Sequence, residues 1–189
     1  GNRCYVSRVI PEDAKKAGIK SGILSIEASN EGKWGNRIQV SFTTVAKKKL
    51  QLVKAVDDKT YEAKNVAAFS EGDIVKVNEE YNIIKMIYDN KVVFENAFTI
   101  DVVDDALIPS TVLYLVETDV LVRYNDMAEI YNGLSFNAAA PNYIVTKMSG
   151  SELVKVTVEG EVKAENPVGT ILGEGKEEGT ILLDGGFDL

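Results

Sequence analysis

Apolar and polar residues alternate strictly in two early stretches of the chain. Leu24, Ile26 and Ala28 interleave with Ser25 and Glu27, and Ile38, Val40 and Phe42 interleave with Arg37, Gln39 and Ser41. Successive side chains leave a strand on opposite faces, so this period of two predicts half-buried strands. Between the two runs lies Ser29-Asn30-Glu31-Gly32-Lys33-Trp34-Gly35-Asn36, which holds the only tryptophan. Alternating runs joined by such a Gly- and Asn-rich segment predict an antiparallel pair. Gly32 and Gly35 are free to take the positive φ of a tight reversal, and Asn36 tolerates it. Trp34 is placed to plug one end of a β-sandwich, as packing rather than as a ligand platform.

Residues 3–10 read as a strand and 11–18 as a two-turn helix. Pro11 suits the first helical position, Glu12 and Asp13 face the positive end of the helix dipole, Lys15 and Lys16 the negative end, and Gly18 closes it. We expect this βα unit, residues 1–21, to be the edge of a flanking domain. Beyond Val45 short apolar runs at 50–56, 61–63, 74–77, 81–88 and 92–94 are separated by turn formers at 56–59, at 69–73 and at Asp89-Asn90-Lys91. Many short strands with regular turns predict a small β-barrel over residues 46–117. Further on, 119–124 and 127–131 flank Asn125-Asp126 as a second hairpin. Pro141 is placed to open a short helix ending near Gly150, and 151–158 alternates as a strand. From Glu159 onward turn formers and acids dominate, and 173–179 reads as a loop.

Composition narrows the chemistry. The 189 residues are 45% hydrophobic, enough for a substantial core, and contain no histidine. Without histidine there is no Ser-His-Asp or Cys-His nucleophile system and no ordinary general base near neutral pH, so we expect no enzyme and no catalytic residue. Cys4 is the lone cysteine, which excludes an internal disulfide and fits a reducing compartment. Gly173, Gly175 and Lys176 lack the spacing of a phosphate loop and sit among glutamates, so no nucleotide cofactor is expected. The pairs Asp57-Asp58 and Asp104-Asp105 lack the alternating acids of a calcium loop, and no metal is expected. Lys47-Lys48-Lys49, on an acidic chain and without interleaved aromatics, argues poorly for nucleic acid. The longest apolar run, 112–116, is far short of the roughly 20 residues of a membrane helix. Net charge is −8 but uneven: residues 1–45 carry seven Lys/Arg against four Asp/Glu, and residues 160–189 carry two against seven. In a polymer of identical subunits such asymmetry favours head-to-tail contacts, whereas in a monomer it means only solubility.

Residues 28–40 resemble the A-x-x-x-G-x-W-G-N-x-I-x-V segment of contractile tail sheath proteins, found in bacteriophages and phage-tail-like bacteriocins. More of the chain agrees. Leu134-Ser135 closes a strand–turn–strand as in sheaths, Pro141-Asn142-Tyr143 resembles their P-N-Y segment, and Ser151 precedes an apolar strand as theirs does. Gly185, Gly186 and Asp188 resemble the G-G-x-D that opens the following sheath domain. The likeness covers residues 22–45 and 118–189. It implies a mainly β fold: a β-sandwich of 22–45 plus 118–160, the barrel 46–117 inserted into it, and 161–189 as a linker and the start of the next domain. Gly32, Trp34, Gly35 and Asn36 are then a structural motif. The implied protein is a subunit of the outer helical tube that shortens to drive an inner tube through a host envelope. Its partners are further copies of itself, the inner tube and baseplate proteins, and its place is a virion tail assembled in the bacterial cytoplasm. The larger sheath domains that the resemblance implies are missing, and Gly1 stands in place of Met, so we expect either processing or a fragment. The alternative is an exposed barrel module binding carbohydrate or a cell surface through Tyr61, Tyr81 and Tyr88.

Overall fold

A computed structural model describes residues 13–98, 100 and 111–189. Strands β1 (Gly18–Ser21), β2 (Leu24–Ala28) and β3 (Gln39–Val45) come first. Six short strands follow: β4 (Lys49–Ala55), β5 (Thr60–Lys64), β6 (Ile74–Val77), β7 (Glu80–Tyr88), β8 (Lys91–Phe94) and β9 (Val112–Leu115). The chain then runs through β10 (Glu117–Tyr124), β11 (Met127–Leu134), helix α1 (Ile144–Lys147), β12 (Val154–Val158), helix α2 (Pro167–Leu172) and β13 (Glu178–Leu182). The fold is mainly β.

Two antiparallel sheets share one core. A three-stranded sheet has the order β1-β2-β12 and a four-stranded sheet the order β11-β10-β3-β13. Leu24, Ile26 and Ala28 of β2 and Val154 and Val156 of β12 meet Val40 and Phe42 of β3 and Val120 and Val122 of β10, all nearly or fully buried. Each strand offers one apolar face, and stacking the two faces is how such strands leave water, as in other sandwiches. Glu129 on edge strand β11 ties the sheets at one end, accepting hydrogen bonds from the Tyr131 hydroxyl, the Ser151 hydroxyl and the Glu152 amide.

The remaining six strands close a barrel in the order β4-β5-β8-β7-β6-β9, with β4 pairing β9 to complete the ring. Leu50, Leu52, Val75, Ile84, Val92, Phe94 and Leu113 fill it, none of them exposed. Closure leaves no free edge, so strands this short are stable without a cover. The β7–β8 hairpin turns on Asp89 and Asn90, with φ of 45° and 58°, the two positive values that a type I′ reversal requires.

Four expectations need correcting. First, β2 and β3 are not partners: β2 pairs β1 and β12, β3 pairs β10 and β13, and the segment between them crosses from one sheet to the other. Alternation fixes which face of a strand is buried but not its neighbour, and both strands approach the same core from opposite sides. Second, residues 13–17 form no helix; the Lys15 backbone pairs with that of Phe187, and buried Ala17 accepts from the Ala28 amide. The strand expected at 3–10 lies outside the described residues, as do Pro11 and Glu12. Third, neither the described part of 1–21 nor 161–189 is a flanking segment. β1 extends one sheet, β13 extends the other, and Pro167, Val168, Ile171 and Leu183 are buried, the last three in the sandwich core. Fourth, Pro141 stands ahead of α1 rather than opening it, and the proline that does open a helix is Pro167, after the Asn166 cap whose side chain accepts from the Val168 amide.

Candidate functional site

The Trp34 segment is a crossover tightened into a 3-10 turn, Lys33–Arg37. Its two glycines are needed for different reasons. Gly32 has φ of 121°, where other residues are strained, whereas Gly35 has no such value and is needed for its size. A Cβ on Gly35 would stand 2.7 Å from that of Ala28 and 2.8 Å from that of Ala17, both wholly buried. Asn36 acts through its side chain. Its amide nitrogen donates to the Gly186 carbonyl at 3.1 Å, and its oxygen accepts from the Gly186 amide at 2.7 Å. The Asp188 carboxylate accepts from the Lys33 amide at 3.1 Å, and a Cβ on Gly186 would lie 2.3 Å from the Gly32 carbonyl oxygen. Thus Gly32, Gly35 and Asn36 and the segment 185–188, about 150 positions apart, form one interlocked knot. Sequence reasoning assigned Gly185 and Gly186 to another domain. The adjacent glycines, which allow two backbones to touch, were the available signal.

Trp34 itself is half-buried. Its ring stands edge-on to Tyr124, with centroids 5.2 Å apart, and its indole nitrogen donates to the Glu31 carbonyl at 3.1 Å. Because part of the ring faces water, Trp34→Ala should cost less than the about 3–5 kcal/mol of a fully buried aromatic. Chemical denaturation followed by circular dichroism measures this, and a larger loss would show that the ring anchors more than its own loop.

A second cluster joins barrel and sandwich. Asn137, in the loop after β11, donates from one amide nitrogen to the Glu71 carbonyl and to Asp73 Oδ1, both at 2.8 Å, while Asp73 Oδ2 accepts from the Ser70 amide at 2.7 Å. Asn137 and Asp73 are both buried. Nearby, the almost fully buried Glu117 receives Lys48 Nζ at 3.1 Å and the amide nitrogen of Asn142 on the same carboxylate oxygen. Burial is the largest influence on Asp73 and pushes its carboxyl above the usual 3.8, against the hydrogen bonds from Asn137 and Ser70 that pull it down. A folded state that takes up the proton more readily than the unfolded chain gains stability in acid. This contribution is complete below the usual carboxylate pKa and is lost as pH rises through the raised value. Asp73→Asn removes it. Relative to the parent chain, the variant should therefore melt higher at neutral pH than in acid, and melting curves across that range showing the opposite trend would contradict the assignment.

The other singled-out residues do not gather. Tyr61 is buried inside the barrel against Phe94, Tyr81 is half-buried beneath Lys76, and Tyr88 is exposed beside Lys91, so the three tyrosines form no common platform. Asp57 and Asp58 lie on an exposed turn; Asp104, Asp105 and Cys4 fall outside the described residues. Of the three consecutive lysines, Lys48 is paired with Glu117 and its neighbours are exposed. Gly173 caps α2, and Gly175 and Lys176 border a shallow cleft of about 510 Å³ whose other walls include Glu79, Glu165, Glu174 and Glu177, a surface that repels anions. Among the described residues no three His, Cys, Asp or Glu side chains are grouped to hold a metal ion, and no helix is long and apolar enough to cross a membrane. What the two clusters do is hold distant segments of backbone together through side-chain amides. No protein-family model matches the chain, and no curated protein matches its sequence.

Proposed function

We propose that this chain is the β-rich part of a contractile tail sheath subunit, a structural protein that works by assembly and mechanical load rather than by catalysis. The observation that carries the proposal is the Asn36–Gly186 clamp. Two of the segments that resemble sheaths, 28–40 and the one carrying Gly185, Gly186 and Asp188, meet side chain to backbone in one knot. A subunit of a shortening lattice must move as a near-rigid body. A side-chain amide that holds both backbone groups of one residue, with glycine packed against glycine, supplies that stiffness at modest cost in side-chain entropy. The basic early segment and the acidic late one meet within a single chain at this knot, so their charge difference does not by itself require contact between copies. In this reading the partners are neighbouring copies, an inner tube and a baseplate, and the barrel is a decoration on the lattice.

Electron microscopy of the full-length gene product, expressed with its neighbouring tube protein, tests the proposal. Helical tubes of regular repeat are the expected result. A product that stays monomeric at high concentration and fails to coat tubes would overturn it.

A further inference from the structure

Lys48, Glu117 and Asn142 come from three separate places, the link into the barrel, the first position of β10 and the loop ahead of α1, and converge on one atom. Lys48 Nζ and Asn142 Nδ2 both donate to Glu117 Oε2, and the same Asn142 nitrogen also donates to the Gly133 carbonyl at 2.6 Å. Glu117 is 4% exposed, whereas about half of the Lys48 side chain reaches water. Lys48 and Asn142 also stand together on the walls of two open clefts, one of about 540 Å³ with Asp119 and Gly133 and one of about 320 Å³ with Asp73 and Lys147.

A plain ion pair does not need this third member. The arrangement sets a primary amine and a carboxamide against one oxygen of a buried carboxylate. We propose that Lys48 and Asn142 are joined by an intramolecular isopeptide bond, formed with Glu117 as the proton carrier. Glu117 takes a proton from the Lys48 ammonium, and the freed Nζ lone pair attacks Asn142 Cγ. The Nζ–Cγ bond forms and a tetrahedral centre results. Glu117 returns its proton to Nδ2, the Cγ–Nδ2 bond breaks, and ammonia leaves through the open cleft, taking up the remaining proton from Nζ as ammonium. One cation enters and one leaves, no electron is transferred, and no co-reactant is required. Both reacting side chains are hydrogen-bonded to the same carboxylate oxygen, and such proximity is the positional advantage that makes an otherwise slow amide exchange accessible. Asn142 Nδ2, the leaving nitrogen, already faces the carboxyl that must protonate it.

The bond would close a covalent ring from Lys48 to Asn142 that contains the whole barrel, pinning its root to the sandwich loop against load. This inference stands or falls apart from the sheath reading, because it depends only on the three side chains.

Intact mass spectrometry of the purified, folded chain is the test. The parent protein should be lighter than its sequence mass by one ammonia, and proteolysis should release a branched peptide joining the Lys48 and Asn142 segments. Lys48→Arg keeps a cation on Glu117 but cannot form the bond, and it should show its full calculated mass, as should Glu117→Gln. A parent chain at full sequence mass would overturn the proposal. So would an ammonia loss that persists in Lys48→Arg, or one that maps to a cyclised Asn132-Gly133 instead of a branch.

Discussion

Excising residues 46–117 and joining Val45 to Thr118 through a two-residue reversal should leave a chain that still melts cooperatively and remains β-rich. β3 and β10 are antiparallel neighbours in which Glu117 faces Val45 and Thr118 faces Thr44, so the barrel is inserted at the end of a hydrogen-bonded hairpin. A tight turn can replace it at small loop-closure cost. The cores are also separate. The sandwich cluster built on Ile26, Phe42, Val122 and Ile144 contains no barrel residue, and the cluster around Phe94 contains none from the sandwich. What is lost lies at the junction. Ile74, Ile83 and Val116 form a small third cluster against Val162 and Ala164, Asn137 loses Glu71 and Asp73 of the barrel, and Asn142 loses Glu117, the first residue of β10. Both amides become open to water, which satisfies them, so a lowered melting temperature is expected rather than collapse. Circular dichroism and a thermal melt decide the matter: loss of a cooperative transition would mean that barrel and sandwich are one folding unit.

The sequence was most legible where a local rule acts alone. Asp89-Asn90-Lys91 announces a hairpin, and that hairpin is present, although it turns on Asp89 and Asn90 alone, both at positive φ, while Lys91 already pairs with Tyr88. The barrel strands were readable from short apolar runs between turn formers, and the sandwich strands from alternation. Strand partners were not readable, since β2 and β3 carry the same period whether they pair in one sheet or face each other across two. The late segment was misjudged for a related reason. In β13 the inward positions are Gly179 and Ile181, with Leu182 exposed, so its alternation is faint and its place is fixed by β3 rather than by its own residues. The Trp34 segment was noticed for its tryptophan, yet the residues gripping the chain are Gly32, Gly35 and Asn36. The partner of Gly32 and Asn36, Gly186, is remote in sequence, and its pair of adjacent glycines marks a close approach of backbones without naming which segment approaches. The Asp73–Asn137 and Lys48–Glu117–Asn142 contacts are invisible for the same reason, each joining groups brought together only by the insertion of one domain into another.

Phe94→Ala should abolish the barrel and leave the sandwich standing. The Phe94 ring is wholly buried, edge-on to Phe98 with centroids 4.8 Å apart and tilted against Tyr61 at 5.7 Å. Truncating such a ring costs about 3–5 kcal/mol, and a single core in a barrel of fewer than about 70–80 residues rarely supplies more than about 3–5 kcal/mol in total. The substitution therefore removes about as much stability as the barrel has. The chain carries its own reporter, because its single tryptophan, Trp34, packs on the sandwich core and touches no barrel residue in that cluster. Tryptophan fluorescence follows the sandwich alone, while far-ultraviolet circular dichroism follows the strands of both parts. In the variant the dichroism should lose the barrel's share of its amplitude at room temperature, and the fluorescence transition should move only by what the small junction cluster and Asn137 contribute. If both signals shift together by the full cost of the ring, the two cores are thermodynamically coupled, and the barrel is a part of the sandwich's stability rather than a passenger on it.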